Sequence, residues 1–133
     1  MDPPYSAVQY SRFYHVLETM ARGECGTVDG VGRYPPIVER PQSDFSKKST
    51  SEGSLRRLIE ALAASEATVI LTFPEDECSN GLSGETVLGI ARSCYETRQT
   101  AVVTKFSSLG GNNRGRQSHK SSNELIILMR PRT

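Results

Sequence analysis

Hydrophobic positions along this chain change period several times, and each change marks an element. Between residues 6 and 22, Tyr10, Phe13, Tyr14, Leu17 and Ala21 recur at the spacing of one helix face. This predicts an amphipathic helix with an aromatic core stripe, stopped at Gly23. No period survives from 24 to 48, where Gly26, Gly30, Gly32, Pro35, Pro36 and Pro41 break any regular element, so a long loop or small insertion is expected. Ser49 and Glu52 have the spacing of a capping box. Leu55, Leu58, Ile59 and Leu62 then carry a second helix to about residue 65. The run at 68–73, Thr-Val-Ile-Leu-Thr-Phe, is continuous rather than alternating, which predicts a strand buried on both faces, as in a parallel sheet, ended by Pro74. Ser83 is placed to cap a third helix, with Val87, Ile90, Ala91, Cys94 and Tyr95 as its buried stripe. Strands are expected at 100–106 and 123–129. The polar loop between them, 107–122, has no helical period, so the two strands should pair antiparallel.

Alternating helices and strands predict an α/β layered domain with a largely parallel sheet, a final antiparallel strand pair and helices packed on the sheet. At 133 residues the chain is one domain, 1–133, with the irregular insertion at about 24–48. Hydrophobic residues make up 36%, so the core is modest or is completed by something else. The net charge of +1 does not advertise nucleic acid, and any such surface must come from local clustering. Cys25, Cys78 and Cys94 are far apart and odd in number, which fits a reducing cytoplasm rather than a disulfide framework. With two histidines and scattered cysteines, no metal site is expected. The polar, proline-rich start does not read as a signal peptide, and no apolar run reaches membrane-spanning length.

Two stretches carry candidate chemistry. The first is Asp2-Pro3-Pro4-Tyr5. Two prolines fix φ and remove two backbone donors, so this backbone only accepts hydrogen bonds. Asp2 adds an acceptor and Tyr5 a flat stacking face, a combination suited to a planar ligand that donates from an amino group. A polyproline-type turn at a disordered end is the other reading of the same four residues. The second is the basic cluster Lys105, Arg114, Arg116 and Lys120, around Gly110-Gly111-Asn112-Asn113 and without an acidic residue. It suits DNA phosphates, with Asn112 or Asn113 reaching bases or backbone, or it is a solvated hairpin loop. Arg33-Tyr34 and Arg40 in the irregular segment, and Arg12 on the first helix, likewise mix cations with aromatics.

Asp2-Pro3-Pro4-Tyr5 resembles the catalytic motif of amino-group DNA methyltransferases. Tyr10-Ser-Arg-Phe-Tyr-His-Val-Leu-Glu-Thr19, Gly32-Arg-Tyr34, Ser43-Asp-Phe-Ser46 and Ser107-Ser-Leu-Gly-Gly111 resemble one subgroup of bacterial adenine-specific enzymes. The element order matches the C-terminal half of the S-adenosylmethionine-dependent fold, a partial Rossmann-like sheet, with the motif after the fourth strand and an antiparallel seventh strand last. The resemblance implies that Tyr5 stacks on a flipped adenine while Asp2 and the Pro3 carbonyl accept its amino hydrogens and Pro4 keeps the corner rigid. It also implies double-stranded DNA as partner, contacted through Arg12, Arg33, Tyr34, Lys105, Asn112, Arg114, Arg116 and Lys120, in the cytoplasm of a bacterial or phage-type host. The family's glycine-rich cofactor turn is absent, and Gly81-Leu-Ser-Gly84 reads as a loop and helix cap. Only Asp2 would lie at the edge of the S-adenosylmethionine site. The expectation is therefore half an enzyme, needing a complementing half or self-associating through an open sheet edge. A non-catalytic DNA-binding remnant is the alternative.

Overall fold

The computed structural model describes residues 1–107 and 119–132. Their elements in order are helix α1 (Ser11–Arg22), single 3-10 turns at Ile37–Glu39 and Asp44–Ser46, helix α2 (Ser51–Ala64), strand β1 (Val69–Pro74), helix α3 (Gly84–Cys94), and strands β2 (Tyr95–Ser107) and β3 (His119–Pro131). The architecture is mixed α/β, with an open three-stranded sheet in the order β1-β3-β2.

Both pairings in that sheet are antiparallel. The last strand thus enters between the other two, and β1 and β2 run the same way without touching. This corrects the largely parallel sheet expected from the uninterrupted apolar run at 68–73. The run is also buried on one face only: Leu71 and Phe73 are fully buried, whereas Ile70 is 58% exposed. Its register explains why. Leu71 opposes Ile127 and Phe73 opposes Leu125 on the inner face, while Ile70 opposes Leu128 and Thr72 opposes Ile126 on the outer one.

The free edge of β1 carries the start of the chain. The Met1 amine donates to the Ile70 carbonyl at 2.6 Å, and Thr72 N–H donates to the Met1 carbonyl at 3.0 Å. These two bonds bracket Leu71 in the slanted way in which a parallel neighbour bonds. Residue 1 is therefore in strand register with β1, and Asp2 leaves the sheet beside its carboxyl-terminal half.

The core lies between the inner sheet face and two helices. Leu55 and Ile59 come from α2, Val87, Leu88, Ile90 and Ala91 from α3, and Leu125, Ile127 and Met129 from β3. Each fully buried Leu or Ile contributes about 1.5–3 kcal/mol. Ser83 caps α3 as expected, its hydroxyl accepting from Thr86 N–H at 3.2 Å. Gly84 is required by packing: a Cβ there would lie 2.5 Å from Leu125 Cδ1 and 3.0 Å from Glu75 Cα. Tyr95, expected on the helical stripe, is buried but opens β2.

Three further expectations are corrected. The Ser49–Glu52 capping box does not form: α2 starts at Ser51 after Thr50, with no side-chain cap, and Glu52 pairs with Arg56 at 3.1 Å. The last two strands reach well beyond 100–106 and 123–129, because their polar flanks continue one long hairpin ladder from Tyr95↔Pro131 to Ser107↔His119. The first helix begins at Ser11 rather than residue 6, and it buries nothing. Its expected core stripe faces outward, with Phe13 46%, Tyr14 54% and Leu17 58% exposed. The side that the irregular segment covers is the polar one, where Ser11, His15 and Thr19 meet Pro35, Arg40 and Pro41. No helix among the described residues is long and apolar enough to cross a membrane.

Candidate functional site

Asp2-Pro3-Pro4-Tyr5 is an ordered corner fastened on three sides. Met1 anchors it to β1. Tyr5 stands edge-on to the buried Phe73 ring at 6.5 Å between centroids. Asn80, which is fully buried, donates from Nδ2 to the Pro4 carbonyl at 2.9 Å and to the Phe45 carbonyl at 3.0 Å. Ala7 N–H donates to Ser79 Oγ at 2.9 Å, and the Gln9 amide exchanges two hydrogen bonds with the Ser43 backbone. The loop after β1 and the segment before α2 thus hold the first nine residues in place. The disordered-turn alternative is set aside by these bonds.

Within the corner, Pro3 is buried, Pro4 and Tyr5 are half-buried, and Asp2 is exposed. Among the described residues, the Asp2 carboxylate makes no hydrogen bond or ion pair. With the Pro4 carbonyl engaged by Asn80, the acceptors left to the corner include the Pro3 carbonyl and the Asp2 carboxylate. Burial pushes the Tyr5 phenol up from its ordinary value, and Tyr10 and Asp2 nearby push it further. Tyr10 is raised too, by burial and then by Asp2, so both rings stay neutral at physiological pH. Beside Tyr5 opens a cavity of about 260 Å³ lined also by Ser6, Pro74, Asp76, Glu77, Cys78 and Ser79. Ligand pockets typically run about 300–1,000 Å³, so this one lies just below the small end of that range. Its acidic rim favours a donor and repels a phosphate.

A second cluster gathers on the polar side of α1. The Arg12 guanidinium lies over the Tyr34 ring at 5.1 Å, Arg40 approaches the same ring at 6.0 Å, and His15 meets it edge-on at 5.0 Å. Tyr34 is presented by a turn closed through the Asp29↔Tyr34 bridge, with Arg33 at φ 49° and Gly30 at φ 70°. Arg33 sits exposed in that turn. Arg40 Nε and Ser11 Oγ are buried without a hydrogen-bond partner, and both residues line a cavity of about 160 Å³. Glu18, Glu24 and Glu39 line it as well, so its charge is mixed.

The sequence pointed to Asp2, Pro3, Pro4 and Tyr5, which meet in one corner, and to Arg12 and Tyr34, which stack on each other. Lys105 and Lys120 fall on β2 and β3 near the end of the hairpin, paired through Ser121 and Phe106. Asn112, Arg114 and Arg116 lie outside the described residues. Sequence reasoning missed Asn80 as part of the site. Ser79-Asn80-Gly81 reads as an ordinary turn, and no spacing signals that its amide reaches residue 4. Among the described residues, no group of three or more His, Cys, Asp and Glu converges in a way that could hold a metal.

Among the described residues, the glycines that could open a cofactor turn are engaged elsewhere. Gly81 takes a positive φ in its loop, and Gly84 serves close packing of α3 against Leu125 and Glu75. The chain matches no protein-family model, no curated protein and no solved structure.

Proposed function

We propose that this chain is the target-base-holding part of an adenine-specific DNA methyltransferase, of partial Rossmann-like fold. The observation that carries the reading is the fastened corner, in which the Asp2 carboxylate and the Pro3 carbonyl flank a half-buried Tyr5 that itself lines a small acidic-rimmed cavity. Further support comes from the order of elements behind the corner, from the final strand running antiparallel to its neighbours, and from Met1 bonding β1 as a parallel strand would.

The target adenine has to leave the helical stack for its amino group to be reached. Tyr5 stacks on the extruded ring, worth about 1–3 kcal/mol per base. Asp2 and the Pro3 carbonyl accept the two amino hydrogens, which localises and orients the nitrogen lone pair. As that nitrogen gains positive charge, Asp2 stabilises it, so positioning and electrostatics replace a strong general base. S-adenosylmethionine would supply the methyl group, held by a complementing half rather than by the residues described above.

Double-stranded DNA is the proposed partner. Arg12, Arg33, Tyr34 and Arg40, with Lys105 and Lys120 from the hairpin and Asn112, Arg114 and Arg116 from the basic loop, supply its phosphate and stacking contacts.

The decisive experiment is methyl transfer from labelled S-adenosylmethionine to adenine in DNA, by this chain with a complementing methyltransferase half. Asp2→Ala should lower the rate by about 10²–10³-fold, the scale for losing one group that stabilises developing charge. DNA binding should survive that change. Full activity in Asp2→Ala would end this reading. Tight binding of S-adenosylmethionine by the chain alone would end its half-enzyme form.

A further inference from the structure

We propose that Asn80 is the positioning residue of the Asp2-Pro3-Pro4-Tyr5 corner, setting the angle at which Tyr5 meets its ligand. This rests on the base-holding reading above and extends it to a residue that touches neither base nor cofactor.

The geometry is specific. Asn80 Nδ2 has two carbonyl partners, Pro4 at 2.9 Å and Phe45 at 3.0 Å, and Oδ1 accepts from Leu82 N–H at 3.2 Å. Two acceptors face one end of the amide and one donor faces the other, so the orientation is fixed by the partners themselves. The Asn80 carbonyl in turn accepts from the buried Ser51 hydroxyl at 2.9 Å. One side chain therefore joins the corner, the segment entering α2 and the loop after β1. It does so with no solvent exposure, where a satisfied amide specifies geometry and an unsatisfied one is costly.

The position of the bond in the chain gives it its consequence. The Pro4 carbonyl belongs to the peptide plane that delivers the Tyr5 nitrogen and Cα. With φ of Pro4 already limited by its ring, a hydrogen bond on that carbonyl removes the remaining freedom of the plane. Asn80 thus constrains the Tyr5 side chain through its backbone, and the Phe73 ring meets it edge-on. Among the described residues, the Pro3 carbonyl is not held this way, so it stays available as an acceptor.

An aspartate at position 80 has the same shape but presents oxygens to two carbonyls. The hydrogen bond to Pro4 becomes a repulsion, and the Tyr5 plane is released without opening a cavity. Alanine removes the amide altogether. Ser83→Ala is the matched structural control, since it removes the cap of α3 without touching the corner.

The test uses short single-stranded oligodeoxyadenylate, whose unpaired bases need no recognition sequence, with binding followed by tyrosine fluorescence. Wild type, Tyr5→Ala, Asn80→Asp, Ser83→Ala and the double variant Tyr5→Ala/Asn80→Asp are compared, each with its urea midpoint. Tyr5→Ala should weaken binding about 5–150-fold, the equivalent of 1–3 kcal/mol of stacking. Asn80→Asp should lose about 5-fold or more in the presence of Tyr5 and almost nothing in its absence, because it acts through that ring. Ser83→Ala should lower the urea midpoint and leave binding unchanged. Equal losses from Asn80→Asp in both backgrounds, or unchanged binding in Asn80→Asp, would overturn the positioning role alone. Wild-type binding that is insensitive to Tyr5→Ala, or absent, would overturn the base-holding reading and the role of Asn80 with it. If Asn80→Asp fails to fold, Asn80→Ser, which keeps a single donor, takes its place under the same criteria.

Discussion

At the scale of single residues, environment separates groups that composition treats alike. Cys25 is exposed, whereas Cys78 lies half-buried beside Tyr5, packed against the core. Burial, then Asp76 and Glu77, push the Cys78 thiol up to about 11. A thiol reacts as its thiolate, so at pH 8 only about one Cys78 in a thousand is reactive. Iodoacetamide labelling of the folded protein at pH 8, read by peptide mass, should therefore modify Cys25 first and leave Cys78 almost untouched. Rapid labelling of Cys78 would show that the loop after β1 is not packed as described. The same loop holds the residue least legible from sequence. Asp2, Pro3, Pro4 and Tyr5 announce themselves because their types restrict what the backbone can do. Asn80 acts through a contact 76 positions away in sequence, and an asparagine before glycine looks like any turn.

At the scale of elements, period located the helices, but not always what each helix face meets. The stripe of α3 is core as its spacing predicts, with Val87, Ile90 and Ala91 buried. The stripe of α1 has an equally good period and buries nothing, because the irregular segment folds against the polar side of that helix. Periodicity records that a face is apolar, and only the tertiary arrangement says whether anything covers it. The strands show the same limit: the apolar run of β1 reads as parallel and doubly buried, yet long-range pairing with β3 makes it antiparallel and one-sided. Truncations should follow the burial. Leu55→Ala and Ile59→Ala should cost about 2–5 kcal/mol in urea unfolding, as fully buried aliphatic side chains do. Leu17→Ala and Met20→Ala, on the exposed face of α1, should stay within about 0.5 kcal/mol. A large loss at Leu17 would mean that the face is covered in solution.

At the scale of the whole molecule, two apolar surfaces are exposed together. One is the outer sheet face, where Ile70 and Ile126 are exposed beside Leu128, and the other is the face of α1 with Phe13, Leu17 and Met20. Beside the first runs the edge of β1, on which Met1 makes two hydrogen bonds in strand register. Exposed apolar area of this kind marks association surfaces, and a strand edge adds backbone donors and acceptors for a neighbour. The chain alone should therefore self-associate reversibly, with a weight-average mass by sedimentation equilibrium that rises with concentration. Ile70→Lys puts a charge on the outer face without touching the inner register, so it should return the chain to monomer and leave the urea midpoint nearly unchanged. A complementing half should do the same by occupying the surface, and the self-associated species should then disappear in proportion to the partner added. A monomer at every concentration, unaltered by Ile70→Lys, would show that the outer face needs no cover, and the case for a partner there would fall.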